Sequence, residues 1–181
     1  MSESPKSSRQ AKKARRELPL DDELSESDFP LLDDTYDGED ESTDITLTTS
    51  DLVEFKVHSG ALIASSHKFR DIIKTIDKED PVIRFKDEKI ETSEIVRAFL
   101  DIIYGKPLAM YDRKYEDTVM VDLIKFVRKY EARTVHEVLR LNFKEWNFHK
   151  ADKLRIFTLG ANLDDQEVCY RYHQSRAPIL A

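Results

Sequence analysis

"FKVHSGALIASSHKFRDII" (Phe55–Ile73) is the stretch whose reading decides the fold. It opens with strand-like alternation, Phe55 and Val57 against Lys56 and His58. Phe69, Ile72, Ile73 and Ile76 then fall at i, i+3, i+4 and i+7, the spacing of one helix face. No glycine-rich loop separates the two patterns. The stretch also holds two of the chain's five histidines, His58 and His67. It is either a chemical site or a joint where a strand feeds helices.

Working outward, "DITLTTSD" places Ile45 and Leu47 on one side, and "VEFKVH" places Val53, Phe55 and Val57 likewise. Period two across a short Ser-Asp turn predicts a hairpin with one buried face. "PVIRFKD" predicts a third short strand with Ile83 and Phe85 inward. The remainder reads helical. "SEIVRAFLDIIYG" carries a wide apolar face and stops at Gly105 with Pro107 beyond. "DTVMVDLIKFVRKYEA" repeats the pattern through Met120, Leu123, Ile124 and Val127. Thr134 and Glu137 have capping-box spacing, and Asp164 and Glu167 have it again before a last helix. Two strands, a helix, a strand and a helical half predict an α+β fold, a small three-stranded sheet packed by helices.

The chain has 181 residues, 40% hydrophobic and 36% charged. No run reaches the length of a membrane span, and no apolar signal core opens the N-terminus. A single cysteine, Cys169, excludes an intrachain disulfide framework and argues against a thiolate zinc site. An intracellular home, nucleus or cytoplasm, is expected.

The net charge of −7 is uneven. Residues 1–16 carry six Lys/Arg against Glu3, and residues 17–44 carry thirteen Asp/Glu and no base. Residues 45–181 carry 23 bases and 22 acids and are nearly neutral. The stretch 1–43 is therefore expected to be a disordered charged tail, basic over 9–16 and acidic over 17–43. Lys12, Lys13, Arg15 and Arg16 form a cluster of the kind read by nuclear-import receptors or polyanions, with a solvated tail as the plainer reading. Leu18, Leu20, Leu24, Phe29, Leu31 and Leu32 among the acids suggest a docking or activation segment, or simply an acidic linker. Ser25 and Ser27 would suit an acid-directed kinase.

Catalytic signatures are missing. Four glycines, at 38, 60, 105 and 160, cannot build a phosphate loop, and neither HExxH nor GxSxG occurs. His58 and His67 lack Asp, Glu or Cys at ligand spacing; His58 reads as a strand-end residue bonded to nearby backbone, His67 as an exposed first-turn residue. Cys169 has no base beside it. Asp71, Glu94 and Asp101 read as single carboxylates on solvated helix faces. The neutral body is a poor nucleic-acid surface. No enzyme activity, cofactor or metal is expected.

The order of elements and specific residues together resemble a BTB/POZ domain, in particular the single-domain fungal subgroup. Asp44-Ile45 matches the opening of the family's first strand. Phe55, Val57 and His58 match its Phe-x-Val/Ala-His, and Leu62, Ser66 and Phe69 the helical joint. Ile103-Tyr104-Gly105, Lys129-Tyr130-Glu131 and Val138-Leu139-Arg140 match the ends of later helices. The likeness covers about 44–172, divided as a domain over 44–143 and a C-terminal helical extension over 144–181. It implies a protein-interaction module that self-associates as a homodimer or docks partners. It also implies a cullin-type ubiquitin-ligase scaffold as one partner, with contacts around Met110–Asp117 and Arg133–Asn142, or a nuclear transcription cofactor using the acidic tail. No membrane partner and no specific nucleic acid is expected. Three departures stand out. Ser59 follows His58 where many relatives carry Lys or Arg. Residues 29–43 lack the amphipathic helix of the animal dimers. No kelch repeats, zinc fingers or MATH-like region are expected beside the module.

Overall fold

The computed structural model describes residues 30–106, 117–145, 153–167 and 169–170. In chain order the elements are β1 (Leu31–Leu32), β2 (Ile45–Thr48), β3 (Val53–Val57), α1 (Ser59–Ser65), α2 (His67–Thr75) and β4 (Val82–Arg84). Then follow α3 (Ser93–Ile103), α4 (Asp117–Lys129), α5 (Arg133–Glu145) and α6 (Lys153–Asn162). The basic cluster 9–16, with Ser25, Ser27 and Phe29, lies outside the described residues.

The hairpin forms as the alternation predicts. β2 and β3 are antiparallel, with Ile45 opposite Val57 and Leu47 opposite Phe55. All four are buried. Thr49 closes the turn, its hydroxyl accepting from the Val53 amide and donating to the Val53 carbonyl. β4 lies parallel to β2, with Leu47 opposite Ile83, so α1 and α2 form the crossover. The sheet order is β1-β3-β2-β4, four strands among the described residues rather than the three expected.

The fourth strand corrects the reading of 30–43 as tail. Leu31 and Leu32 pair in parallel with Val53 and Glu54. Asp33 is buried, accepts from the amides of Thr35 and Tyr36, and forms an ion pair with Arg97 of α3. Tyr36 enters the core between Phe55 and Tyr104. Asp33, Asp34 and Asp40 of this stretch have specific partners, Arg97 for the first two and His58 for the third, which composition alone cannot reveal.

The core centres on Phe69, fully buried in α2. Tyr130 stacks on it at 4.6 Å, and Phe99 and Phe126 lie at 5.7 and 6.5 Å. Ser66 positions the ring: its hydroxyl accepts from the Phe69 amide as helix cap and donates to the Tyr130 carbonyl. Two cap assignments change. α5 begins at Arg133, so Thr134 lies inside it, and Glu137 pairs with Arg140 rather than returning to a cap. Asp165, not Asp164, accepts from the Glu167 amide.

Candidate functional site

His58 follows β3 and caps the start of α1, and its ring ties three segments together. The Tyr104 hydroxyl accepts from the His58 amide at 3.0 Å and lies 2.9 Å from Nδ1. One hydroxyl thus meets both the His58 backbone and its ring. Nε2 stands 2.8 Å from the Ser42 hydroxyl and 3.3 Å from Asp40. Ser42 donates to Asp40 at 2.6 Å, so its hydrogen does not point at the imidazole. The serine is therefore not activated by the histidine, and both ring nitrogens are engaged. The bonds run to side chains rather than to the nearby backbone expected.

Asp44 lies beside this junction. Its carboxylate accepts from the amide and the hydroxyl of Ser59, each at 2.6 Å. Burial pushes the Asp44 carboxyl up, but the Ser59 bonds and nearby His58 outweigh it and hold it below the ordinary value. Ser59 thus occupies Asp44 by hydrogen bonding, without a charge. Leu62 of α1 is fully buried.

A second junction joins the crossover to the helical half. Glu91 is buried and accepts from the amides of Lys86 and Asp87 at 2.6 and 2.7 Å. It also accepts from the Tyr130 hydroxyl at 2.6 Å and from Lys129 Nζ at 2.7 Å. Burial raises its pKa, yet these donors together hold it below 4.5. Burial and the Glu91 bond push the Tyr130 phenol far up, so it stays a donor. Sequence reading picked Tyr130 as a marker and missed Glu91.

The other candidates stay apart. His67 is exposed at the start of α2. Burial, then Asp165, pushes the Cys169 thiol up, the opposite of an activated nucleophile. Asp71 pairs with Lys74 on the surface, whereas Asp101 is not a solvated carboxylate: it binds Tyr36 and Lys106. Among the described residues no group of three or more His, Cys, Asp or Glu could hold a metal ion. No helix there is long and apolar enough to cross a membrane. Lys12, Lys13, Arg15 and Arg16 lie outside the described residues.

The helical half carries a groove. A cavity of about 370 Å³ opens where α4 ends and α5 begins, between Val127, Arg128, Ala132, Arg133 and His136. His136 and Glu137 also line a second cavity of about 540 Å³, which continues to Arg140, Leu163 and Asp165. Val127, Ala132 and Leu163 are buried and form its floor. Ion pairs fix the rim: Arg128 to Asp164 at 2.8 Å, and Arg140 to Glu137 at 2.8 Å. The groove pairs an apolar floor with a charged rim and has no nucleophile–base pair, an arrangement suited to binding.

Residues 32–145 match the model of the BTB/POZ domain. No curated protein matches the chain.

Proposed function

Because this chain belongs to the BTB/POZ family of protein–protein interaction modules, we propose that it works without catalysis, by docking partner proteins on its helical half. The groove between α4, α5 and the end of α6 carries this reading. Its rim offers Arg133, exposed at the start of α5, beside His136. Affinity purification from the native cell with Arg133→Glu/His136→Glu and unaltered protein tests it. Partners present only with the unaltered protein are expected; an identical partner set, or none from either, overturns it.

A ubiquitin-ligase adaptor is the second reading. Arg133–Asn142, one of the two expected cullin contacts, contributes His136, Glu137 and Arg140 to the groove. Of Met110–Asp117, the other contact, only Asp117 lies among the described residues. A direct pull-down with a cullin that recovers none removes this reading. Self-association as a homodimer is the remaining alternative, read by light scattering after size exclusion.

A further inference from the structure

Asp37 and Gly38 form the single Asp-Gly step of the chain, and no Asn-Gly step occurs. They lie in the bend between Tyr36, which enters the core, and Asp40, which pairs with His58. The Asp37 carboxylate accepts from the Glu39 amide at 2.9 Å, which folds the side chain back over the Asp37–Gly38 peptide. Among the described residues the Gly38 amide hydrogen meets no acceptor, so nothing but water holds its proton. Both residues are half-buried and line a surface cavity of about 580 Å³, which gives water access to them. The same side-chain turn recurs at Asp40, Asp77 and Asp87, whose carboxylates accept from the amides of Ser42, Glu79 and Lys89. There the next residue is Glu41, Lys78 or Glu88, and its Cβ crowds the amide nitrogen; Gly38 has none.

We propose that Asp37 is a site of self-modification, in which the Gly38 nitrogen closes on the Asp37 side chain. The nitrogen attacks the side-chain carboxyl carbon in its acid form. A C–N bond forms, the C–O bond breaks, and the hydroxyl leaves with the amide proton as water, closing a five-membered succinimide. Water then adds to one of the two ring carbonyls. Opening at the former side-chain carbonyl restores aspartate. Opening at the backbone carbonyl leaves isoaspartate, with the main chain running through the side-chain carbons. One water leaves and one enters, and nothing is oxidised or reduced. Isoaspartate lengthens the backbone by one methylene at a point with no slack. Gly38 (φ 84°) already packs so closely on Lys56 that a Cβ would stand 2.4 Å from its Cδ. The segment must therefore shift, and Asp40 and Ser42, just beyond, lose their register with His58.

Ageing the full chain in oxygen-18 water at neutral pH tests this, read by peptide mass spectrometry with electron-transfer fragmentation. Each ring opening fixes one labelled oxygen. Asp37 should carry at least ~10-fold more label than Asp40, Asp77 or Asp87, because only its neighbour lacks a Cβ. Asp37→Asn should convert several-fold faster, since an amide keeps an electrophilic carbon at neutral pH where a carboxylate does not. Histidine ring resonances of the aged protein should show a second set for His58, growing with the isoaspartate fraction. Label equal at the four positions, no label at Asp37, or an asparagine variant no faster than the unaltered chain would each overturn the modification. A labelled Asp37 with a single, unmoved His58 set would overturn its effect on the junction. The label comparison uses the unaltered chain, so it decides even if the variant folds poorly.

Discussion

Tyr36 donates its hydroxyl hydrogen to Asp101 across 2.9 Å, tying the acid-rich stretch before β2 to the last turn of α3. Lys106 holds the pair from above, 4.3 Å from the Tyr36 ring and 3.3 Å from Asp101. Truncating this ring opens a cavity against Phe55 and Tyr104, so Tyr36→Ala should cost about 3 kcal/mol in urea unfolding. Tyr36→Phe removes one hydrogen bond while Lys106 still neutralises Asp101, and should cost ~1 kcal/mol. Arg97→Ala strands the buried Asp33 carboxylate and should cost about 3 kcal/mol. Wild-type midpoints in all three would mean that 30–43 contributes nothing to the folded unit.

Glu91 sets the acid limb of stability. Its folded pKa is depressed, so the bonds it accepts stabilise fully above its unfolded value of 4.5 and weaken as pH falls through the lower folded value. Asp44 and Asp51 act in the same direction: burial raises each, and the bonds from Ser59 and Ser93 outweigh it. Thermal midpoints should therefore be nearly flat from pH 7 to about 5 and drop below 4.5. Glu91→Gln should lower the neutral plateau and flatten part of that drop, because glutamine accepts fewer bonds and does not titrate. An acid limb identical in the variant would assign it to other carboxylates.

The alternation over 45–57 and the helical spacing over 93–103 and 118–130 were legible because burial there is periodic. Ile45, Leu47, Phe55 and Val57 line one face, and Ile95, Val96, Phe99 and Leu100 another. β1 was not legible, since two residues are too few to show a period. Asp33 and Tyr36 look like the solvated acids and polars around them, and only Arg97 and Asp101, far along the chain, make them interior. His58 could be placed at a strand end, but its partners Tyr104 and Ser42 are distant in sequence and no spacing announces them. The groove was half visible: Arg133–Asn142 could be singled out, whereas Leu163 and Asp165 reach it only through the packing of α6.

Ser59 answers Asp44 without a charge. Ser59→Ala should remove one 2.6 Å hydroxyl bond while the backbone amide remains, costing about 1 kcal/mol. Ser59→Lys should be tolerated within about 1 kcal/mol, because the amide bond persists and the ammonium gains an exposed partner. Parallel denaturant series of the two variants check this. A lysine variant less stable than the alanine variant would show that the junction has no room for a cation.

Three helices among the described residues end in the same way, and only one uses glycine. α3 closes at Gly105 (φ 71°), with the Lys106 amide returning to the Asp101 carbonyl. α4 closes at Glu131 (φ 51°), with the Ala132 amide returning to Val127, and α6 closes at Asp164 (φ 57°), with Asp165 returning to Gly160. The left-handed conformation costs a side-chain-bearing residue about 1 kcal/mol, which glycine avoids. Glu131 is exposed, and its side chain pairs only with Lys68 at 3.2 Å on the surface, an interaction of ~0.5 kcal/mol or less. Glu131→Gly should therefore be neutral to stabilising, by up to ~0.5 kcal/mol, an unusual outcome for a glycine replacing a helix-end residue. Glu131→Ala keeps the strain and loses the ion pair, so it should be the less stable of the two. Thermal midpoints of both variants decide the point: a glycine variant below the alanine variant would mean that the turn at the end of α4 is not held in the left-handed region.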